Sequence, residues 1–277
     1  MSEISKRDLH FYNNLIAPVY DDDLPIEVLG SSSSGNSIYL KPFRTIVDIG
    51  FSKNHYPNEM LYQTSYVALT HEHTDHLNII TFDYLYHETP WIKFFVTKRL
   101  YAILENMSQE KRNFKPNLDS GRFVFTDNTK NNPLLINDLQ NGNQFYVRTL
   151  TTDHGDVINV AYDFKAGDEV YFGHFRAPRI LYSSDLQTTG LSRGCDGLPM
   201  EKCSQFDIIF LEANYDENDV KSALKADPYD IKAQNNLRHI SEQESFAYVQ
   251  RHLKENGLFM PLHASRVFGT YQQNATI

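Results

Sequence analysis

Cysteine is nearly absent from this sequence: only Cys195 and Cys203 occur in 277 residues. Two thiols exclude a disulfide framework, and reduced side chains are the simplest reading of both. No apolar run is long enough to span a bilayer, and Met1 to Arg7 is not followed by the hydrophobic stretch of a secretory leader. The expected setting is the cytoplasm, with no membrane partner. Positive charge is scarce as well. Lys and Arg number 26 against 35 Asp and Glu, for a formal net charge of -9, which argues against a protein that coats nucleic acid. It leaves a nuclease open, because bound metal ions and a local basic face can invert the field near a site.

What the chain does have is core and aromatics. Hydrophobic residues make up 41% and Phe, Tyr and Trp together 13%, enough to bury a substantial interior. Residues 1 to 24 are polar and end in Asp21-Asp22-Asp23, which reads as an N-terminal extension closed by a solvated acidic turn. Residues 25 to 277 read as one domain.

The densest chemistry lies at His71-Glu72-His73-Thr74-Asp75-His76, directly after the apolar run Tyr66 to Thr70. In extended chain, residues two apart point the same way, so His71 and His73 can grip one metal ion. A turn after Thr74 then redirects Asp75 and His76 towards a second. Imidazole and carboxylate donors suit zinc, and also manganese or iron.

The same pattern recurs along the chain. Strands are expected at 26–29, 37–40 and 45–50, the first two joined by Gly30-Ser31-Ser32-Ser33-Ser34-Gly35-Asn36. A plain hairpin turn explains that loop better than a phosphate cradle, since no Lys-Ser/Thr and no helix follow it. Helices are expected at 78–86 and 98–107, and a third at 242–256 with Gly257 as its stop. Lys98, Arg99, Lys111, Arg112 and Lys115 form the densest basic stretch, a solvated helix surface that is also the best candidate for attracting phosphate. Further strands lead into His154, Asp185, Glu212 with Asn214, and His263. Asp48, His71, His154, Asp185 and His263 thus all close apolar strands. A single strand-end aspartate caps a helix. Five such residues point to one site at one edge of packed sheets.

Taken in this order, His71-x-His73-x-Asp75-His76, His154, Asp185 and His263, with Asp48 before them, the set resembles the metallo-β-lactamase fold superfamily over about residues 26 to 268. Gly30 to Asn36 is similar to the opening motif of the YycJ/WalJ-type nucleases and related phosphodiesterases. Leu211 to Asp216 resembles that group's Glu-x-Asn-x-Asp stretch. Arg238-His239-Ile240-Ser241 is similar to its Gly-His-Leu-Ser and to a motif of the tRNA 3′-processing branch. Ser32 and Arg238 depart from the group's usual glycines.

The resemblance implies an α/β fold, a four-layer αββα sandwich with a two-metal site. It implies one ion on His71, His73 and His154, the other on Asp75, His76 and His263, and Asp185 between them. Asp48 is expected to hold a ligand histidine, and His239 to contact phosphate or protonate the leaving group. Two dications held by Asp75 and Asp185 stay net positive in an otherwise acidic chain, which favours an anionic phosphodiester substrate, nucleic acid or a (cyclic) nucleotide. A carbonyl-ester hydrolase of lactonase or thioesterase type is the alternative on the same fold. A homodimer remains open.

Overall fold

The computed structural model describes residues 26–263 apart from 128, 139–141, 143, 156, 168–170, 173–174, 191–194 and 201–205. The expected extension at 1–24 and Cys203 lie outside the described residues. Two six-stranded mixed sheets form the centre. The first runs in the order β1 (Ile26–Ser32), β2 (Gly35–Leu40), β3 (Thr45–Val47), β4 (Tyr66–Ala68), β5 (Lys93–Val96), β6 (Phe123–Phe125). The second contains β7 (Leu134–Asn137), β8 (Gln144–His154), β9 (Val157–Ala166), β12 (Arg179–Ser183), β13 (Phe206–Glu212) and β14 (Leu253–Leu262). Its order is β14-β13-β12-β9-β8-β7. A two-stranded ribbon, β10 (Tyr171–Phe172) and β11 (Phe175–Arg176), stands apart.

Parallel neighbours need crossovers, and helices supply those from β3 to β6 and from β13 to β14. In the first sheet, α1 (Asn58–Gln63), α2 (Ile79–Glu88) and α3 (Lys98–Arg112) link the parallel strands β3 to β6. In the second, α4 (Glu217–Ala226), α5 (Ile231–Asn236) and α6 (Glu242–His252) link the parallel pair β13 and β14.

Strand alternation sorts side chains into layers. Val47, Ala68 and Phe95 face Val160, Tyr162, Ile180, Tyr182 and Phe210 between the sheets. Ile46, Val67 and Phe94 point the other way, onto Leu61, Phe82, Leu85, Leu100 and Leu104 of α1 to α3. Leu181, Ile209 and Leu211 likewise meet Tyr248 and Val249 of α6. The result is the expected αββα sandwich.

Some boundaries differ from the periodicity. Helix α3 runs on to Arg112, where Asn113 closes it in a left-handed conformation, φ 55. Helix α6 stops at His252, not at 256, and Leu253 already pairs with Phe206. The ladder to β13 captures this segment. Gly257 is then no helix stop. A Cβ there would lie 2.9 Å from the Asp207 carbonyl oxygen, so close approach of strands at a register shift demands glycine.

Arg122 fastens the first helical layer. It is buried, and its guanidinium donates to the carbonyls of Ile92 at 2.8 Å, Thr89 at 2.9 Å, Leu85 at 3.2 Å and Tyr86. Three of these carbonyls, those of Leu85, Tyr86 and Thr89, belong to the C-terminal end of α2, where helical donors run out; Thr89 and Ile92 supply N–H groups to Leu85 and Thr89, and Arg122 adds a charged donor to all three. Arg122→Met should therefore cost about 3 kcal/mol, because buried carbonyls lose a charged donor. Thermal unfolding checks this, with a Tm lower by roughly 5–10 °C.

Candidate metal centre

The site sits where strands from both sheets end. β3 delivers Asp48, β4 leads to His71–His76, β8 ends on His154, β12 leads to Asp185, β13 ends on Glu212 and β14 leads to His263. Residues at the carboxyl ends of parallel strands form a crevice between layers. The chain turns sharply there: Asp48, Asp185 and His263 have φ of 59, 49 and 53. A left-handed aspartate or histidine costs conformational energy, and all three are ligand-type side chains.

His71, His73 and His154 bring one ligand atom each within 4.8 Å of one another. His71 Nε2 lies 3.1 Å from His73 Nδ1. His71, His76 and Asp185 form a second such group, and Asp185, Glu212, His239 and His263 a third. Asp185 belongs to the second and third groups and reaches the first through His71. Its Oδ2 contacts His76 Nε2 and lies 3.9 Å from His71 Nε2; its Oδ1 is 3.6 Å from His239 Nδ1 and 3.7 Å from His263 Nε2. Asp75 belongs to none of the three groups, but its Oδ2 stands 3.7 Å from both His76 Nε2 and His263 Nε2.

Buried polar contacts aim the rings. Asp48 is fully buried and accepts from the Thr70 N–H at 2.9 Å, from the Thr70 hydroxyl at 2.9 Å and from the Tyr182 hydroxyl at 3.2 Å. His76 Nδ1 lies 2.7 Å from the same carboxylate. A carboxylate only accepts, so His76 carries a proton on Nδ1, and its Nε2, beside Asp185, is the atom that it would offer to a cation as a lone pair. The Thr70 hydroxyl spends its one hydrogen on Asp48, and therefore accepts from His71 Nδ1 at 3.0 Å. His71 Nε2 is thereby left as a lone pair as well.

Glu212 does similar work on the far side. Its Oε1 is 2.6 Å from His239 Nδ1 and 3.4 Å from His263 Nδ1, and its Oε2 accepts from the Leu186 N–H at 2.9 Å. With both oxygens already engaged, Glu212 orients two histidines, while Asp185 and His263 keep donor atoms turned to the centre of the site.

The electrostatics are those of a cation trap. Burial disfavours charge on every group here, yet oppositely charged neighbours outweigh it at His76, His263 and Asp185. His76 is pushed up to about 10, as Asp185 and Asp48 outweigh its burial. His263 rises well above the usual imidazole range against its burial, through Asp185, Asp75 and Glu212. Asp185 falls well below the carboxylate range, its burial overcome by His76 and His263. Only His71 and His154 are driven down, mainly by burial. His263 Nε2 is buried without a hydrogen-bond partner, and Asp185 Oδ2 accepts no hydrogen bond beyond its contact with His76 Nε2. Buried polar atoms of this kind normally have partners. Orphaned donor atoms in a carboxylate and imidazole set fit divalent metal ions.

Every candidate site residue, His71, His73, Asp75, His76, His154, Asp185, His239, His263 and Asp48, falls within this one edge. Sequence reasoning left Glu212 off the candidate site, although it closes a strand just as Asp48 follows one. It also missed the Gly30–Asn36 loop as a brace. Asn36 donates its backbone N–H to the Asp75 carbonyl at 2.7 Å, and its side-chain amide lies 2.9 Å from His76 Nε2. The Ser31 hydroxyl accepts from the His263 N–H at 3.0 Å.

No family model matches the sequence, and no curated protein matches it. Solved structures do. Human tRNase Z, short form, aligns with a TM-score of 0.55 at 14% identity, over 87% of this chain and 92% of its own. The metallo-β-lactamase fold protein YhfI from Bacillus subtilis aligns with a TM-score of 0.50 at 14% identity, over 87% and 85%. This chain has the metallo-β-lactamase fold. A diphosphatase of the PhnP family shares it, with a TM-score of 0.50 at 13% identity over 91% of this chain and 90% of that one.

Two outcomes are expected. Zinc at a hundredfold excess over its Kd should stabilise the protein by about 2.7 kcal/mol per site, and a chelator should reverse this in thermal melts. Asp48→Asn should weaken binding of the ion held through His76 by about 10–100-fold in a competitive zinc titration. Unchanged melts or unchanged affinity would contradict these assignments.

Proposed function

We propose that the protein is a metal-dependent hydrolase of phosphodiester bonds that works with two divalent ions, zinc before manganese or iron. His71, His73 and His154 would hold one ion, Asp75, His76 and His263 the other, with Asp185 between them. When bound, such ions polarise phosphoryl oxygens and lower the pKa of water, supplying a nucleophile at neutral pH.

The observation that carries this reading is the Glu212–His239 pair. His239 is 19% exposed, and its Nδ1 is 2.6 Å from a carboxylate with no exposure at all. Burial alone would strip the ring of its proton, but Glu212 and Asp185 outweigh it and raise its proton affinity. The Glu212 and Asp185 carboxylates thus favour a proton on His239 in the proposed reaction. With Nδ1 committed to Glu212, the Nε2 proton is left for the departing oxygen, and the charge of the ring meets the phosphate. Asp48, Thr70 and Asn36 do not touch the substrate in this scheme; they keep His76, His71 and Asp75 in place. The tRNase and the diphosphatase that share the fold support a phosphate ester over a carbonyl ester.

Charge pairing favours a compact substrate. Of the basic stretch on and after α3, Arg99 pairs with Glu72 at 3.3 Å, Arg112 with Asp83 at 2.7 Å and Lys115 with Glu105 at 3.6 Å. Their fields are partly cancelled, which weakens any track for a long polyanion. A nucleotide or cyclic nucleotide needs no such track.

The metal-loaded protein should be tested on bis-p-nitrophenyl phosphate, cyclic nucleotides, single- and double-stranded DNA and RNA, and a lactone and a thioester. Phosphodiester turnover is expected, faster on cyclic nucleotides than on polymers. His239→Ala should lower kcat by about 10²–10³-fold with bound metal unchanged. Turnover of the carbonyl esters alone would overturn the proposal.

A further inference from the structure

The three histidines of the first group come from different sheets. His71 and His73 lie on the loop after β4, and His154 ends β8. Their rings nonetheless meet, with centroids 5.6 Å apart for His71 and His154 and 5.1 Å for His73 and His154. Side chains hold other rings of the site: Thr70 for His71, Asp48 for His76, Glu212 for His239. His154 lacks such a hold among the described residues, and its Nδ1 is buried without a hydrogen-bond partner. Its position depends on where the β8–β9 hairpin is put.

One side chain ties that hairpin to the other two ligands. Strand β5 is parallel to β4, so α3 starts at the edge where the His71–His76 loop begins. In its first turn, Arg99 reaches both ways. Nη2 lies 3.3 Å from Oε1 of Glu72, the residue between His71 and His73. Nη1 donates to the Ile158 carbonyl at 3.2 Å. Ile158 pairs across the hairpin with Asp153, next to the His154–Val157 pair.

We infer that Arg99 is a positioning residue: its guanidinium clasps the His154 hairpin to the His71–His73 loop and sets the spacing of the three-histidine group. The inference rests on that group holding a metal ion, as proposed above. A planar fork with fixed donors suits two acceptors at a set separation, which a lysine ammonium reaches only singly. Arg99 is 42% exposed and Glu72 21%, so the pair adds little to global stability. Its effect falls on local geometry.

The test is zinc titration of the metal-free protein against a chromophoric chelator, for the wild type, Arg99→Met, Arg99→Lys, Glu72→Gln and the Arg99→Met/Glu72→Gln double variant. Arg99→Met should weaken one of two zinc equivalents by about five- to tenfold and spare the other, with the metal-free Tm nearly unchanged. Arg99→Lys should recover part of the loss. Glu72→Gln should lose less than Arg99→Met, since the Ile158 contact survives, and the double variant should be no worse than Arg99→Met alone. In cobalt-substituted protein, the absorption bands of one site should shift. Unchanged affinity for both equivalents overturns the clasp, and a raised KM alongside it would make Arg99 a substrate contact instead. Equal weakening of both equivalents with a lowered metal-free Tm also overturns it, in favour of general stability. A wild type that binds no zinc sinks the metal reading itself, and the clasp with it.

Discussion

An ionised carboxylate as buried as that of Asp185 persists only where positive charge or polarised N–H groups surround it. It is 2% exposed. One of its oxygens faces His71 and His76, the other His239 and His263. Asp48 and Glu212, with no exposure, repeat the problem on either side. The fold answers it with layers of donors: Thr70, Tyr182 and His76 around Asp48, and Leu186, Asn214 and His239 around Glu212. Charge left over at the centre is then available to cations. The same accounting explains why proton affinity rises on His76, His239 and His263.

The Gly30–Asn36 hairpin shows how a motif can matter for chemistry without touching the reaction. Its backbone and side chains bind Asp75 and His263 from outside. Its glycines are there for close approach. A Cβ on Gly30 or Gly35 would sit 2.5 Å from the Phe51 ring, and beyond the hairpin, after β3, one on Gly50 would overlap the Asp75 carbonyl at 1.8 Å. Any side chain at Gly50 would push away the turn that carries Asp75 and His76. Ser32, where glycine is usual in the motif the sequence resembles, is accommodated on the exposed rim through Ser34.

Substrate preference in this architecture is a matter of what surrounds a fixed metal cradle. Arg99 and Arg112 of α3 are engaged with carboxylates, so the proposed attraction for an anionic substrate falls to the metal-loaded cradle. Arg99 illustrates the change of role. In sequence it belongs to a basic stretch suited to phosphate, whereas in the fold it bridges Glu72, between His71 and His73, and the Ile158 carbonyl of β9.

The sequence alone determined the strands, the order of ligand-type residues at their ends and the type of donor set, because strand periodicity and imidazole–carboxylate chemistry are local properties. His71 and His73 are readable as a pair from a period of two. Tertiary structure decided the rest. It ended α6 at His252 by pairing Leu253 with β13, set Glu212 behind His239 and His263, and turned Gly30–Asn36 into a brace. Each of these rests on contacts between residues far apart in the chain. The spacing of His154 from His71 is fixed by how two sheets pack and by one arginine that touches both, and no local pattern records that distance.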